Sequence, residues 1–166
     1  MRYAALAIPG FLVVFGGPAV LIDETCVALV AGQPVPVATA TAVGEICIET
    51  HEGNVVVRFR AAQGWSFTET QLALASALEE IPRAEAGIPI IGRFPHRTAH
   101  TPVVTEFTYS IPLAELGVSP DEEVIVAAHA SVVNTTGVEE GGWGSGERFT
   151  PRGNPAMYFR YTITGG

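Results

Sequence analysis

From Val103 to Ile111 apolar and polar side chains alternate. Val103, Thr105, Phe107, Tyr109 and Ile111 fall on one face, and Glu106, Thr108 and Ser110 on the other. A period of two held over nine residues is the signature of a half-buried strand and leaves no room for a helix. Pro112 closes the segment. The same grammar recurs along the chain. Cys26 to Ala31 is an apolar run stopped by Gly32-Gln33-Pro34, and Val35 to Val43 alternates small apolar residues with Thr. Ile46 to Glu49 and Val55 to Phe59 flank His51-Glu52-Gly53-Asn54, a β-hairpin signal in which Gly and Asn supply positive φ. Thr68 to Ala75, Val124 to Val133 and Met157 to Thr164 complete the set, with Val124 to Val133 apolar enough to be covered on both faces. With 18 Gly and 12 Pro as punctuation, the chain is predicted to be all-β, an antiparallel β-sandwich or jelly-roll of about eight strands.

Two stretches stand outside this pattern. Glu79 to Gly92 lacks periodicity, and Pro82 and Pro89 limit any helix to a turn, so an ordered excursion over one end of the sandwich is expected. Asn134 to Pro155 carries six glycines and Trp143. It reads as a long functional loop, the best candidate for an interaction surface.

The N-terminus points to export. Met1-Arg2 precedes an apolar run from Tyr3 to Ile22, and Gly17-Pro18-Ala19 offers small residues for cleavage after Ala19. Residues 1–19 are therefore expected to be a signal peptide, or alternatively a retained N-terminal strand, with residues 20–166 forming a single β-sandwich domain. Pro9, Gly10, Gly16, Gly17 and Pro18 argue against a spanning helix, so no stable membrane span is expected in the mature chain. If Phe11 to Phe15 is retained, this uncharged run suits strand exchange with a second copy, giving a homo-oligomer or homopolymer. Cys26 and Cys47 allow one disulfide in an oxidising compartment, with two buried free thiols as the alternative.

The charge balance removes one partner class. The net charge is −8 and all nine basic residues are scattered arginines. Nucleic acid, which needs a basic groove against its phosphates, is excluded as a partner.

A set of separated motifs adds a resemblance. Gly64-Trp65-Ser66-Phe67-Thr68-Glu69-Thr70, Val104-Thr105-Glu106-Phe107-Thr108-Tyr109, Ala127-Ala128-His129-Ala130, Trp143-Gly144-Ser145-Gly146, Arg148-Phe149 and Tyr158 to Ile163 together resemble a recurring module of secreted and surface-attached bacterial proteins. The resemblance runs from about Cys26 to the C-terminus, a domain-sized span. It implies an extracellular location and no assigned catalytic activity. The chain departs from that module at Gln71 and Ala73, where a Thr-Glu-Thr-His-x-His run would place histidines.

Candidate chemistry rests on Glu69, Glu106, His129, Glu139 and Glu140. If their strands are neighbours, the carboxylates and imidazole converge. Ca²⁺ would take the carboxylates with carbonyls of the Gly-rich loop, whereas Zn²⁺ would use His129 and leave a position open for water. The competing reading has solvated glutamates and a hydrogen-bonded core histidine. Trp143 and Arg148 are the candidate binding residues, Trp143 stacking on a surface glycan or anchoring a protein contact, or else folding back over the sandwich. No Gly-x-Ser-x-Gly elbow and no His-Glu-x-x-His is present. The sequence thus points to a non-enzymatic extracellular module with a structural or adhesive role at the cell surface or matrix. A self-assembling fibre or tube subunit and a metal-dependent hydrolase are the alternatives.

Overall fold

The computed structural model describes residues 11–13, 20–22, 24–32 and 40–165. In chain order the elements are β1 (Phe11–Val13), β2 (Val20–Ile22), β3 (Thr25–Ala31), β4 (Thr41–His51), β5 (Asn54–Ala61), β6 (Trp65–Ala75), β7 (His96–Val104), β8 (Glu106–Pro112), the short helix α1 (Leu113–Leu116), β9 (Glu123–Asn134), β10 (Glu139–Gly144), β11 (Glu147–Arg148) and β12 (Met157–Thr162). The all-β antiparallel class is as the alternation predicts. Ten strands form one sheet, ordered β11-β12-β9-β10-β3-β4-β5-β8, with β6 and then β7 continuing from the other edge of β9. The sheet is rolled until it is nearly closed into a barrel.

The expected export signal over 1–19, with its cleavage after Ala19, lies largely outside the described residues, as do residues 35–39 of the expected Val35 to Val43 strand. Within the apolar N-terminal run, β1 pairs antiparallel with β2, Phe11 opposite Ile22. Among the described residues no helix is long and apolar enough to cross a membrane.

Alternation decides which side chains fill the barrel. Ile46 and Ile48 of β4, Val55, Val57 and Phe59 of β5, Leu72 and Leu74 of β6, and Val124, Val126, Ala128, Ala130 and Val132 of β9 all point into one apolar core. Phe59 sits at its centre, edge-to-face with Phe67 and Tyr109 at centroid distances of 6.1 and 5.8 Å. The β4–β5 hairpin closes through a two-residue turn in which Glu52 and Gly53 take φ of 47° and 77°. That geometry matches the right-handed twist of the flanking strands. Asn54, expected in the turn, instead opens β5 and donates its Nδ2 to the Glu52 carbonyl at 3.0 Å.

β9 is covered on both faces, as its continuous apolar run predicts. Its odd-numbered residues Ile125 and Ala127 belong to a second cluster outside the barrel, with Ala73, Ala75, Ile81, Phe94, Trp143, Ala156, Met157 and Tyr158. Ile81 and Phe94 come from the excursion between β6 and β7. That segment therefore lies over the outer face of β6 and β9, not over an end of the barrel.

Two expectations about strands are corrected. The Val103 to Ile111 run is not one strand. β7 pairs with β6, with Phe67 opposite Val104, and β8 pairs with β5, with Phe59 opposite Phe107. The chain turns a corner at Thr105, whose carbonyl accepts from Ala61 N–H at 2.8 Å. Parity changes there, so Val104 packs on the core while Val103 is 46% exposed. Second, the Gly-rich segment contains β10 and β11. Gly142 reads as loop but serves as a flat strand position, since a Cβ there would stand 3.2 Å from Leu29 and 3.3 Å from Val43.

At the corner the barrel is joined by side chains. The Tyr109 hydroxyl lies 3.1 Å from Thr70 O, 2.9 Å from Thr70 Oγ1 and 3.0 Å from Thr98 Oγ1. Thr70 Oγ1 is 3.0 Å from Nε2 of the buried His100. Burial lowers the His100 pKa, against the pull of Glu69.

Candidate functional site

A β-bulge in β6 builds the site. In the pairing with β9 the register shifts between Phe67 and Glu69, which oppose the consecutive residues Val132 and Ser131, so Thr68 is an extra residue. Before the bulge Trp65 and Phe67 pack on the barrel core; after it Leu72 and Leu74 do. The slip leaves Glu69 and Gln71 on the outer face, opposite Ser131 and His129 of β9. Gly141 and Trp143 of β10 follow on the far side, paired with Ser131 and His129.

The side chains on this face form a chain. Arg97 of β7 donates Nη2 to Glu69 Oε1 at 2.8 Å and Nη1 to the Gly92 carbonyl at 2.9 Å. Arg97 holds the Glu69 carboxyl below the usual carboxylate range; burial opposes this, and a hydrogen bond from Gln71 reinforces it. Gln71 Oε1 then lies 2.8 Å from His129 Nδ1. An amide oxygen can only accept a hydrogen bond. Gln71 Oε1 must therefore accept from His129 Nδ1–H, which leaves Nε2 as an unprotonated lone pair. Burial pushes the His129 pKa down to about 4, with the Glu69 charge pulling the other way. The imidazole is neutral at ordinary pH.

Alongside runs an open groove of about 500 Å³ lined by Thr68, Glu69, Ser131, Val132, Glu139, Glu140 and Gly141. The groove thus brings Glu69, Glu139 and Glu140 together, while His129 lies beside it behind Gly141, its Nε2 3.1 Å from where a Cβ of that glycine would stand. It does not bring Glu106 there. Glu106 belongs to β8 and lies 3.6 Å from Arg58 Nε. It joins an ion-pair ladder on the outer face of β4, β5 and β8: Arg58 also pairs with Glu24 and Glu49, and Arg60 with Glu24 and Glu45. No three of Glu69, Glu106, His129 and Glu140 hold ligand atoms within 4.8 Å of one another. The four-residue set is corrected accordingly: strand pairing assigns Glu106 to the arginines.

Trp143 and Arg148 are also relocated. Trp143 is 6% exposed, with its ring 4.8 Å from His129 and 6.2 and 6.3 Å from Phe94 and Phe149. It folds back over the sheet and leaves no ring face for a sugar. Arg148 donates Nη2 to the Asn154 carbonyl at 2.8 Å, tying β11 to its own loop. Its Nε is buried without a partner.

Cys26 and Cys47 are bonded, at directly opposed positions of β3 and β4. With Glu24 they form the one cluster among the described residues where three potential ligand atoms lie within 4.8 Å. Both sulfurs are committed to each other, so it offers no thiolate.

Sequence reasoning missed Gln71 and Arg97 as members of the site. The signal was present: apolar positions switch from odd (Trp65, Phe67) to even (Leu72, Leu74), and that phase slip marks the bulge. Comparison with known proteins finds no family model, curated protein or solved structure that matches this chain.

Proposed function

We propose that this chain is an exported, non-enzymatic β-domain with a structural or adhesive role at the cell surface or in the matrix. The Cys26–Cys47 bond carries this reading. Disulfides persist in oxidising compartments, and in reducing cytosol such a pair is held as thiols. The apolar N-terminal run and the resemblance to modules of secreted and surface-attached proteins point the same way. So does the state of the titratable groups: Glu69 is engaged by Arg97, and burial makes His129 a weak base. A general acid or base works best with a pKa near the operating pH.

The test is fractionation of the producing cells, followed by alkylation and intact-mass measurement. The protein is expected in the medium or surface fraction, with neither cysteine alkylated before reduction. Recovery from the cytosol with two alkylated cysteines overturns the proposal. Loss of the gene is expected to alter cell attachment or matrix cohesion while leaving secreted hydrolytic activities unchanged.

A further inference from the structure

The Cys26–Cys47 bond lies on the outer face of the barrel wall, and its two sulfurs are unequally protected. Val27 and Leu29 of β3 and Ile46 and Ile48 of β4 pack on the core, so the cysteines between them point outward. Cys47 is nevertheless fully buried, whereas Cys26 is exposed. Register explains the difference. Cys47 sits in the middle of three strands, with Cys26 opposite on β3 and Arg58 opposite on β5. The Glu24 carboxylate pairs with Arg58 and comes within 4.8 Å of both sulfurs, so this ion pair roofs Cys47. Arg60 Nη1 stands 3.6 Å from Cys47 Sγ as a donor. Beside Cys26 the wall is open. β10 pairs only with Leu29, Val30 and Ala31 of β3, so among the described residues no strand flanks Cys26 on the side away from β4.

We propose that this disulfide is exchange-active toward small thiols, with Cys26 as the sulfur that accepts the incoming thiol and Cys47 as the leaving thiolate. A thiolate RS⁻ attacks Cys26 Sγ in line with the S–S bond, from the open side of β3. The bond to Cys47 breaks as the Cys26–SR bond forms, and the electron pair departs on Cys47 Sγ. The incoming thiol is oxidised, Cys47 is reduced, and no further oxidant is consumed. Departure is faster when the leaving sulfur carries its negative charge well, and the Arg60 guanidinium is placed to hold that charge. Arg60 meets Glu24 and Glu45 only at 3.5 Å, so neither carboxylate ties up its Nη1. The Cys47 thiolate stays beneath the Arg58–Glu24 pair, beside the mixed disulfide, and its attack on Cys26 Sγ expels the thiol again. Cys26 is thereby a reversible thiolation site. The acidic chain and the nearby Glu24 favour a thiol bearing an ammonium group. The exchange starts from the oxidised bond and does not depend on where the protein resides, so its failure leaves the exported structural role untouched.

The experiment mixes the folded, oxidised protein with cysteamine at mildly alkaline pH, quenches with iodoacetamide and maps the products by peptide mass. The cysteamine adduct is expected on Cys26 and the alkyl group on Cys47. An adduct on Cys47 with Cys26 alkylated would overturn the proposal. Arg60→Gln should slow the exchange about threefold to tenfold, because the leaving thiolate loses its cation. The sign separates this role from a structural one: a variant that only loosened the fold would expose the bond and exchange faster. A faster or unchanged rate in Arg60→Gln therefore refutes the assignment. The parent protein supplies a second measurement that needs no variant. Exchange in the folded state should proceed at the same rate in dilute urea, below the unfolding transition. A rate that climbs with the unfolded fraction would show that the bond is protected in the fold, and would overturn the proposal.

Discussion

His129 makes the fold sensitive to acid in a window that can be placed from the structure. In the unfolded chain its pKa is about 6.5; in the folded protein burial lowers it to about 4. Above pH ~6.5 neither state is protonated there, and the residue adds no pH dependence. Between 6.5 and 4 only the unfolded chain takes up the proton, so stability falls as the pH is lowered. Below 4 both states bind it and the loss is complete. A displacement of about 2.5 pH units at 1.36 kcal/mol each amounts to about 3 kcal/mol, a large share of a typical domain's ~5–15 kcal/mol. His100 acts in the same direction, because burial lowers its pKa too. Glu69 adds its own loss as the pH falls from the ordinary carboxylate value toward its lowered one. Urea unfolding at a series of pH values gives the total, and His129→Gln isolates the residue: the substitution changes packing at every pH, so the slope between pH 6.5 and 4.5 carries the information. That slope is expected to flatten substantially. A His129 ring that titrates near 6.5 in the folded protein, or an unchanged slope in the variant, would refute the argument.

Phe59 is fully buried between Phe67 and Tyr109, so Phe59→Ala should cost about 3–5 kcal/mol; Phe107→Ala, at a half-buried position beside His100, should cost roughly half as much. Equal losses in thermal unfolding would contradict this placement of β8. Gly44 faces the partner strand so closely that a Cβ would stand 2.3 Å from the Arg60 carbonyl oxygen. Gly44→Ala must therefore push β4 from β5 and should destabilise by at least about 1–3 kcal/mol, and a variant melting with the parent protein would show that the hairpin does not hold that register.

The features legible in the sequence are those whose periodicity directly reports burial. β9 reads as a doubly covered strand because both its faces meet apolar layers, the barrel core on one side and Ile81, Phe94 and Trp143 on the other. The β4–β5 hairpin reads correctly because its turn needs positive φ and Gly53 supplies it. β10 was hidden for the opposite reason. Glycine carries no propensity for a strand, and Gly142 is there because Leu29 and Val43 leave no space for a side chain. That is a tertiary cause, invisible locally. The corner at Thr105 was hidden because a strand that leaves one partner for another keeps an alternating pattern while its inward face changes over.

Glu69 and Glu106 show how far local reading can go toward the site. Each follows a threonine in a strand, with an aromatic residue close by, and nothing in their immediate sequence tells them apart. Their fates diverge because of register. In β8 the alternation runs undisturbed from Phe107 to Ile111, and the outward Glu106 meets arginines that alternate outward on β5. In β6 the extra residue at Thr68 shifts the phase. Without that shift Phe67, Glu69 and Gln71 would share a face and both polar side chains would enter the barrel core, where a charge without a partner is strongly disfavoured. With it they face outward beside His129, and Arg97 is within reach. The bulge is thus what converts a strand-face glutamate into the clamp behind a histidine, and removing Thr68 should eliminate the His129 environment altogether. Deletion of that one residue is expected to return the His129 ring to ordinary titration, or to prevent folding, whereas a deletion that left its depressed pKa intact would show that the bulge does not set the site.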